Sequence, residues 1–396
     1  PVTRLGGLIQ MFAEKNSLTL FLICVVLVFG TTACLSNASK SNGLLVDIVD
    51  NRVLRPEIPV FREVSIHDPV VIKVDNTYYA FGSHLAAAKS QDLIKWSQLS
   101  TNVSNYNRVF PNAKIELAEE LSWAGTNTTW AKGIIELNGL YNLYYCVSSW
   151  GSPRSAIGLA TAEDIEGPYK NQGMFLNSGL QGNKLGEFYN RSLHPNAIDP
   201  DVFFDKEDRL WMVYGSYFGG MYILELDPKT GYPYPEQGYG KHLAGGSHAP
   251  MEGPHIQYNS ETDYYYLFIS YGTLSVDGGY NIRVFRSENP DGPYLDPTGL
   301  DAKYAVRSSA NAMSYGAKLM GNFLLTESNL GYISPGHNST LYDLELGKNF
   351  IFFHTRFPGR GEMHNLRVHQ MLMNTEGWPV VAPHRYAGET VGIYRT

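Results

Sequence analysis

A unit that recurs five times between Phe61 and Glu389 constrains this chain more than any other feature. Each copy has a short polar or Asp-Pro-type opening, a β-rich run, a turn with Asn, Asp or Gly, and an aromatic run ending in small polar residues. The first three copies read HDPVVIKVDNTYYAFGS from His67 to Ser83, TWAKGIIELNGLYNLYYCVSS from Thr129 to Ser149, and IDPDVFFDKEDRLWMVYGS from Ile198 to Ser216. The fourth is EGPHIQYNSETDYYYLFISYG from Glu252 to Gly272, and the weakest, GHNSTLYDLELGKNFIFFHTR, runs from Gly336 to Arg356. Each reads as two strands joined by a hairpin turn, such as Val74-Asp75-Asn76 or Leu137-Asn138-Gly139. The segments AKSQDLIKW, LATAEDIEGPY and FRSENPDGPY add outer strands, giving four short strands per unit at a period of about 50 to 80 residues. Five such units predict an all-β, five-bladed β-propeller, whereas a sandwich or jelly roll leaves the fivefold opening unexplained.

Composition fits a packed β interior, with 43% hydrophobic and only 17% charged residues, and with Tyr 27, Phe 18 and Trp 6. Such rings suit strands and sugar-stacking surfaces. Thirty-one basic against 38 acidic side chains leave a net charge of −7, which offers no general attraction for phosphate backbones, so no nucleic-acid partner is expected. Asn16 to Ser39 carries no charge, and Leu20 to Phe29 reads LFLICVVLVF. That run is shorter than the roughly 20 residues of a membrane span and matches the apolar core of a secretory signal. Residues 1–33 are therefore expected to be a signal peptide with upstream residues, 34–60 an N-terminal linker, and 61–389 the propeller. Thr31-Thr32-Ala33-Cys34 resembles a bacterial lipoprotein cleavage box, so the body is expected outside the cytoplasm, as a cell-surface lipoprotein anchored through Cys34 or as a secreted monomer. Of the three cysteines, Cys24 and Cys34 lie in the targeting segment, so no disulfide framework is expected; Cys146 reads as a small buried residue on a strand.

The first strand of a propeller blade lines the central channel, so the openings of the copies converge on one end of the axis. Three openings carry an acid, namely Asp68 in His-Asp-Pro, Asp199 in Ile-Asp-Pro and Glu252 in Glu-Gly-Pro. Like charges held together cannot all ionise freely, which makes at least one available as a proton donor, as glycoside hydrolysis requires. Asp201 and Asp205 read as solvent or turn acids. His337 opens the fifth copy and should also face the channel, while His67, His194, His255, His354, His364 and His369 show no metal-ligand spacing. Of these, His255 and His364 could line the pocket. Trp130 and Phe218 sit at strand ends from which they could stack on sugar rings.

His-Asp-Pro, Asn196-Ala197-Ile198-Asp199-Pro200 and Glu252-Gly253-Pro254 together resemble glycoside hydrolase family 43. The string VHQMLMNTEGWPVVAPHRY, from Val368 to Tyr386, is similar to the endo-α-1,5-L-arabinanases of that family. The resemblance implies a five-bladed propeller that hydrolyses α-1,5-L-arabinofuranosidic bonds in arabinan or arabino-oligosaccharides with inversion. It implies Asp68 as general base, Glu252 as general acid, Asp199 as the acid that raises and orients Glu252, and a calcium ion held by His337 with waters. Two features depart from the family pattern. Trp130-Ala131-Lys132 stands where relatives carry Trp-Ala-Pro, and 390–396 would be only the start of a missing or truncated C-terminal module. The alternatives are an arabinofuranosidase or β-xylosidase of the same family and a non-catalytic carbohydrate-binding propeller, against which three converging acids argue.

Overall fold

Each recurring unit folds as an antiparallel meander in which strands pair in the order they occur along the chain. Blade one holds β1 (Val70–Val74), β2 (Thr77–Gly82), β3 (Ala86–Ser90) and β4 (Ser97–Ser100). Two short helices, α1 (Ala113–Glu116) and α2 (Ala118–Ala124), lead to blade two, with β5 (Lys132–Leu137), β6 (Leu140–Val147), β7 (Ser155–Ala162) and β8 (Lys170–Ser178). Blade three holds β9 (Asp201–Phe204), β10 (Leu210–Tyr214), β11 (Met221–Leu226) and β12 (Lys241–Ala244). Blade four holds β13 (Met251–Asn259), β14 (Tyr264–Tyr271), β15 (Asn281–Ser287) and β16 (Ala317–Met320). Blade five has an extra strand, with β17 (Phe323–Leu325), β18 (Leu330–Asp343), β19 (Lys348–Arg356), β20 (Asn365–Met373) and β21 (Pro379–Val381). This computed structural model describes residues 59–179, 189–307, 314–325 and 330–389. The expected signal peptide, most of the linker and the C-terminal tail lie outside the described residues.

The hairpins form where turn chemistry favours them. In blade two Leu137 pairs with Leu140 across Asn138 and Gly139, whose φ values of 55° and 78° suit a two-residue turn that matches strand twist.

The aromatic runs explain how the blades pack. Successive side chains on a strand point to opposite faces, so adjacent tyrosines serve different interfaces. Tyr145 packs with Phe81 and Ile134 between blades one and two, while its neighbour Tyr144 packs with Val202 and Met212 between blades two and three. Tyr265 joins the core between blades three and four and Tyr266 the core between four and five. Phe352 packs against Val71 and Ala80, closing blade five onto blade one. Five apolar cores thus separate five blades, and the innermost strands β1, β5, β9, β13 and β18 neighbour one another in a closed ring. The five-bladed β-propeller expected from the repeat is the observed fold.

Candidate active site

In four of the five blades, one residue at or just ahead of the channel-facing part of the inner strand controls what reaches the axis. Asp68, Asp199, Gly253 and His337 all adopt left-handed backbone conformations, with φ of 54°, 56°, 60° and 46°. For a non-glycine residue this conformation costs about 1 to 3 kcal/mol, so its recurrence at three such positions means that the surrounding fold imposes it. Blades three and four meet where the Gly253 N–H donates to Asp199 Oδ2 at 3.2 Å. Blades one and five meet where His337 Nδ1 lies 3.2 Å from Asp68 Oδ1. Glycine is needed at 253 because a Cβ there would stand 2.9 Å from the His337 ring. Glu252 therefore sits one residue before the left-handed position, in register with His67 rather than Asp68. A bulge between Glu252 and His255 accommodates this shift. The third acid converges with the other two from a different repeat position than the sequence pattern suggests.

The three buried carboxyls have different partners and therefore different proton affinities. Asp68 Oδ1 lies 3.3 Å from His67 Nε2 and 3.3 Å from His354 Nδ1, and Ser83 Oγ donates to Oδ2 at 2.5 Å. Burial alone would raise Asp68, but His67, His337 and the bond to His354 reverse this and hold it well below the usual carboxylate range. Asp199 moves the opposite way, pushed well above its ordinary value by burial and then by the charge of Asp68, with only the Gly253 N–H opposing. Burial and then Asp199 push Glu252 up to about 7. Its two oxygens accept from Tyr280 Oη at 2.8 Å and Ser216 Oγ at 3.1 Å. Asp68 is thus favoured as the carboxylate, while burial and like charge favour the protonated forms of Asp199 and Glu252. This separation of affinities is what assigns a base and an acid within one pocket.

The sequence over residues 57–379 matches the family described as Glycosyl hydrolases family 43. The chain belongs to that family. It is 56% identical over 352 residues to the extracellular endo-α-(1→5)-L-arabinanase of Thermotoga petrophila, covering 86% of this chain and 75% of that protein. It is 54% identical over 344 residues to the extracellular endo-α-(1→5)-L-arabinanase 2 of Bacillus subtilis, covering 84% and 73%. The crystal structure of the Thermotoga petrophila endo-1,5-α-L-arabinanase superposes with a TM-score of 0.81, over 84% of this chain and 77% of that one. A Cellvibrio cellulosa α-L-arabinanase solved with arabinohexaose gives 0.66 at 26% identity, over 81% and 96%.

Around this family 43 hub the other expected residues take varied positions. Trp130 is half-buried at the opening of blade two, and its carbonyl accepts from Lys132 Nζ at 2.9 Å. Phe218 is only 6% exposed, with the His248 ring 4.9 Å away and the Arg191 guanidinium 5.3 Å over its face, which leaves little ring surface free for a sugar. Lys132, whose role the sequence left open, is buried and pushed down to about 7 by desolvation. Its ammonium donates to the Gly82 carbonyl at 2.5 Å, fixing the chain beside Ser83, the hydroxyl partner of Asp68. Asp201 and Asp205 are buried rather than solvent acids. Asp205 does close a turn, accepting from the Glu207 and Arg209 N–H groups, but Asp201 accepts from the Ile256 N–H across two blades. Cys146 is fully buried, as expected.

Ser83, Ser216 and Ser270 occupy the small polar ends of the recurring hairpins, a signal the sequence carried but whose purpose it did not reveal. All three bond to the hub, Ser270 Oγ accepting from the His337 N–H at 2.7 Å. Tyr280 lies outside the repeated hairpins and had no such signal. His67, His354 and His364 have no suggestive spacing, yet their rings meet beside Asp68, with centroids 4.1 to 4.7 Å apart.

Proposed function

We propose that this protein is an exported endo-acting hydrolase that cuts α-1,5-L-arabinofuranosidic bonds within arabinan by an inverting acid/base mechanism. The carrying observation is the split among three buried carboxyls, with Asp68 held ionised and Glu252 raised to about 7. Protonated Glu252 donates to the leaving glycosidic oxygen, and ionised Asp68 removes a proton from the attacking water. Asp199 raises Glu252 by its charge and is tied to the backbone beside it through the Gly253 N–H. The His337 ring lies between Asp68 and the backbone at Gly253, and inversion requires the Asp68 and Glu252 carboxyls to stand about 6.5 to 9.5 Å apart so that water fits between them. Identity above half to two extracellular endo-arabinanases, against 29% to an extracellular exo-α-(1→5)-L-arabinofuranosidase of Cellvibrio japonicus, favours internal cleavage. The apolar leader and these extracellular relatives support export; attachment through Cys34 is the form we propose for it.

The calcium ion that the family implies fits the donor set at His337 only in part. When Nδ1 donates to Asp68, Nε2 keeps the lone pair a cation needs, but a single imidazole leaves the other positions to water. His337 would hold the ion, which when bound supplies fixed positive charge on the axis and orders water.

Linear arabinan incubated with the purified protein should yield a spread of arabino-oligosaccharides before arabinose accumulates, and proton NMR should show an inverted anomer at first. Immediate release of a single short product would exclude internal cleavage, and a retained anomer would exclude the water-mediated mechanism.

A further inference from the structure

The geometry points to a second metal site, separate from His337, in which His67, His354 and His364 hold a divalent first-row transition ion of the zinc class. One ligand nitrogen from each ring lies within 4.8 Å of the other two. The Nε2 atoms of His354 and His364 are buried without a hydrogen-bond partner, an arrangement that costs about 1 to 3 kcal/mol for each polar group left unpaired, and that of His67 faces only Asp68 Oδ1 at 3.3 Å. A shared ion would satisfy the three together.

The three rings come from distant parts of the chain. His67 lies ahead of β1, His354 on β19 and His364 just before β20. Ring centroids are 4.1 Å apart for His67 and His364, 4.5 Å for His67 and His354, and 4.7 Å for His354 and His364. His354 is fully buried while the other two are half-buried, which leaves an ion a path in. Burial lowers the proton affinity of all three rings, His364 to about 4, so they are neutral and able to ligate at physiological pH. His354 Nδ1 lies 3.2 Å from the Asp68 backbone N–H, from which it can accept, and 3.3 Å from Asp68 Oδ1; in the tautomer that donates to the carboxylate the ring lone pair is on Nε2, and ion binding selects that tautomer.

Three imidazole nitrogens suit zinc, nickel or copper, whereas calcium prefers oxygen donors. The charge that opposes an incoming cation is that of Arg356, which is paired with Glu362, while ionised Asp68 favours the cation. Such an ion would hold His67, and so the chain at Asp68, against blade five.

Calorimetric titration of the chelator-stripped full chain with Zn2+, in excess Ca2+ and with folding verified by circular dichroism, tests this. One equivalent should bind, and Co2+ in its place should give the visible absorption of an imidazole-ligated ion. Loss of outer-shell partners weakens metal sites by about 10- to 100-fold, so His354→Gln and His364→Gln should each weaken Zn2+ binding at least about tenfold. His337→Ala should leave it unchanged. Half-buried His364 provides the decisive variant if His354→Gln fails to fold. Absence of saturable Zn2+ binding by the folded parent, unchanged affinity in His364→Gln, or loss in His337→Ala alone would each overturn the site.

Discussion

Glu252 carries two opposed demands. Its carboxyl is useful as a proton donor only because burial and Asp199 disfavour its charge, and the same burden falls on the folded state. Because the native protein holds this proton more tightly than the unfolded chain, stability falls as pH rises from 4.5, the ordinary value, to about 7. Above that the whole deficit is present, up to about 3 kcal/mol. Glu252→Gln, a neutral isostere, should therefore melt at a higher temperature than the parent at pH 8 and at a similar one at pH 4. It should also lose about 10² to 10⁴ in kcat on linear arabinan. The parent's kcat/KM should decline as pH rises through 7, a limb absent from the variant's residual activity. Equal melting temperatures at pH 8 would show that Glu252 is not charged against its environment. Loss of the limb without loss of turnover would assign the donor elsewhere.

Strands, rather than single residues, determine whether the acids converge. Asp201 on β9 accepts from the Ile256 N–H at 3.1 Å and lies 3.0 Å from His255 Nδ1 on β13. His255 Nε2 in turn lies 2.8 Å from Thr340 Oγ1 on β18. Three inner strands are thereby linked beneath the pocket. Asp201→Ala leaves a buried N–H without its acceptor and should cost about 1 to 3 kcal/mol in urea unfolding. Turnover per folded molecule should change far less than in Glu252→Gln. A variant of parental stability with turnover as low as Glu252→Gln would move Asp201 from scaffold to chemistry. The blades themselves were legible in the sequence because strand alternation writes both interfaces of a blade into one run, as Tyr144 and Tyr145 do. Asp68, Asp199 and His337 were legible because they share one repeat position. The one-residue displacement of Glu252 was not, since a bulge leaves no local signature. The histidine cluster was not legible either, because His67 and His354 meet only when the ring of blades closes.

That closure is the property of the whole molecule on which the hub depends. Every described sheet consists of strands from one continuous stretch of chain, so blade one and blade five meet through side chains and loops rather than a shared sheet. The seam has an apolar part, with Val64 and Ile66 against Phe350, Phe352 and Leu366, and a polar part centred on Glu63. Glu63 accepts from Arg367 Nη2 at 2.8 Å and Arg385 Nη1 at 3.0 Å, and the Leu366 N–H donates to the Val64 carbonyl at 3.2 Å. Nearer the rim, Lys73 pairs with Asp343 at 2.9 Å and Glu345 at 2.8 Å, while the Tyr78 hydroxyl donates to Asp343. Removing Glu63 leaves the buried Arg367 guanidinium without its carboxylate. A fully buried broken pair costs about 3 to 5 kcal/mol, and partial exposure of Glu63 reduces that to about 2 to 3 kcal/mol. Asp68 follows this segment closely, and His337 belongs to blade five, so opening the seam pulls base and axial histidine apart. Glu63→Ala should therefore accelerate amide exchange at Leu366 more than in the core of blade three, with thermal inactivation and seam opening sharing one midpoint. Unchanged exchange at Leu366 would assign closure to the apolar core alone. Activity that outlasts exchange there would show that the hub holds together without the seam.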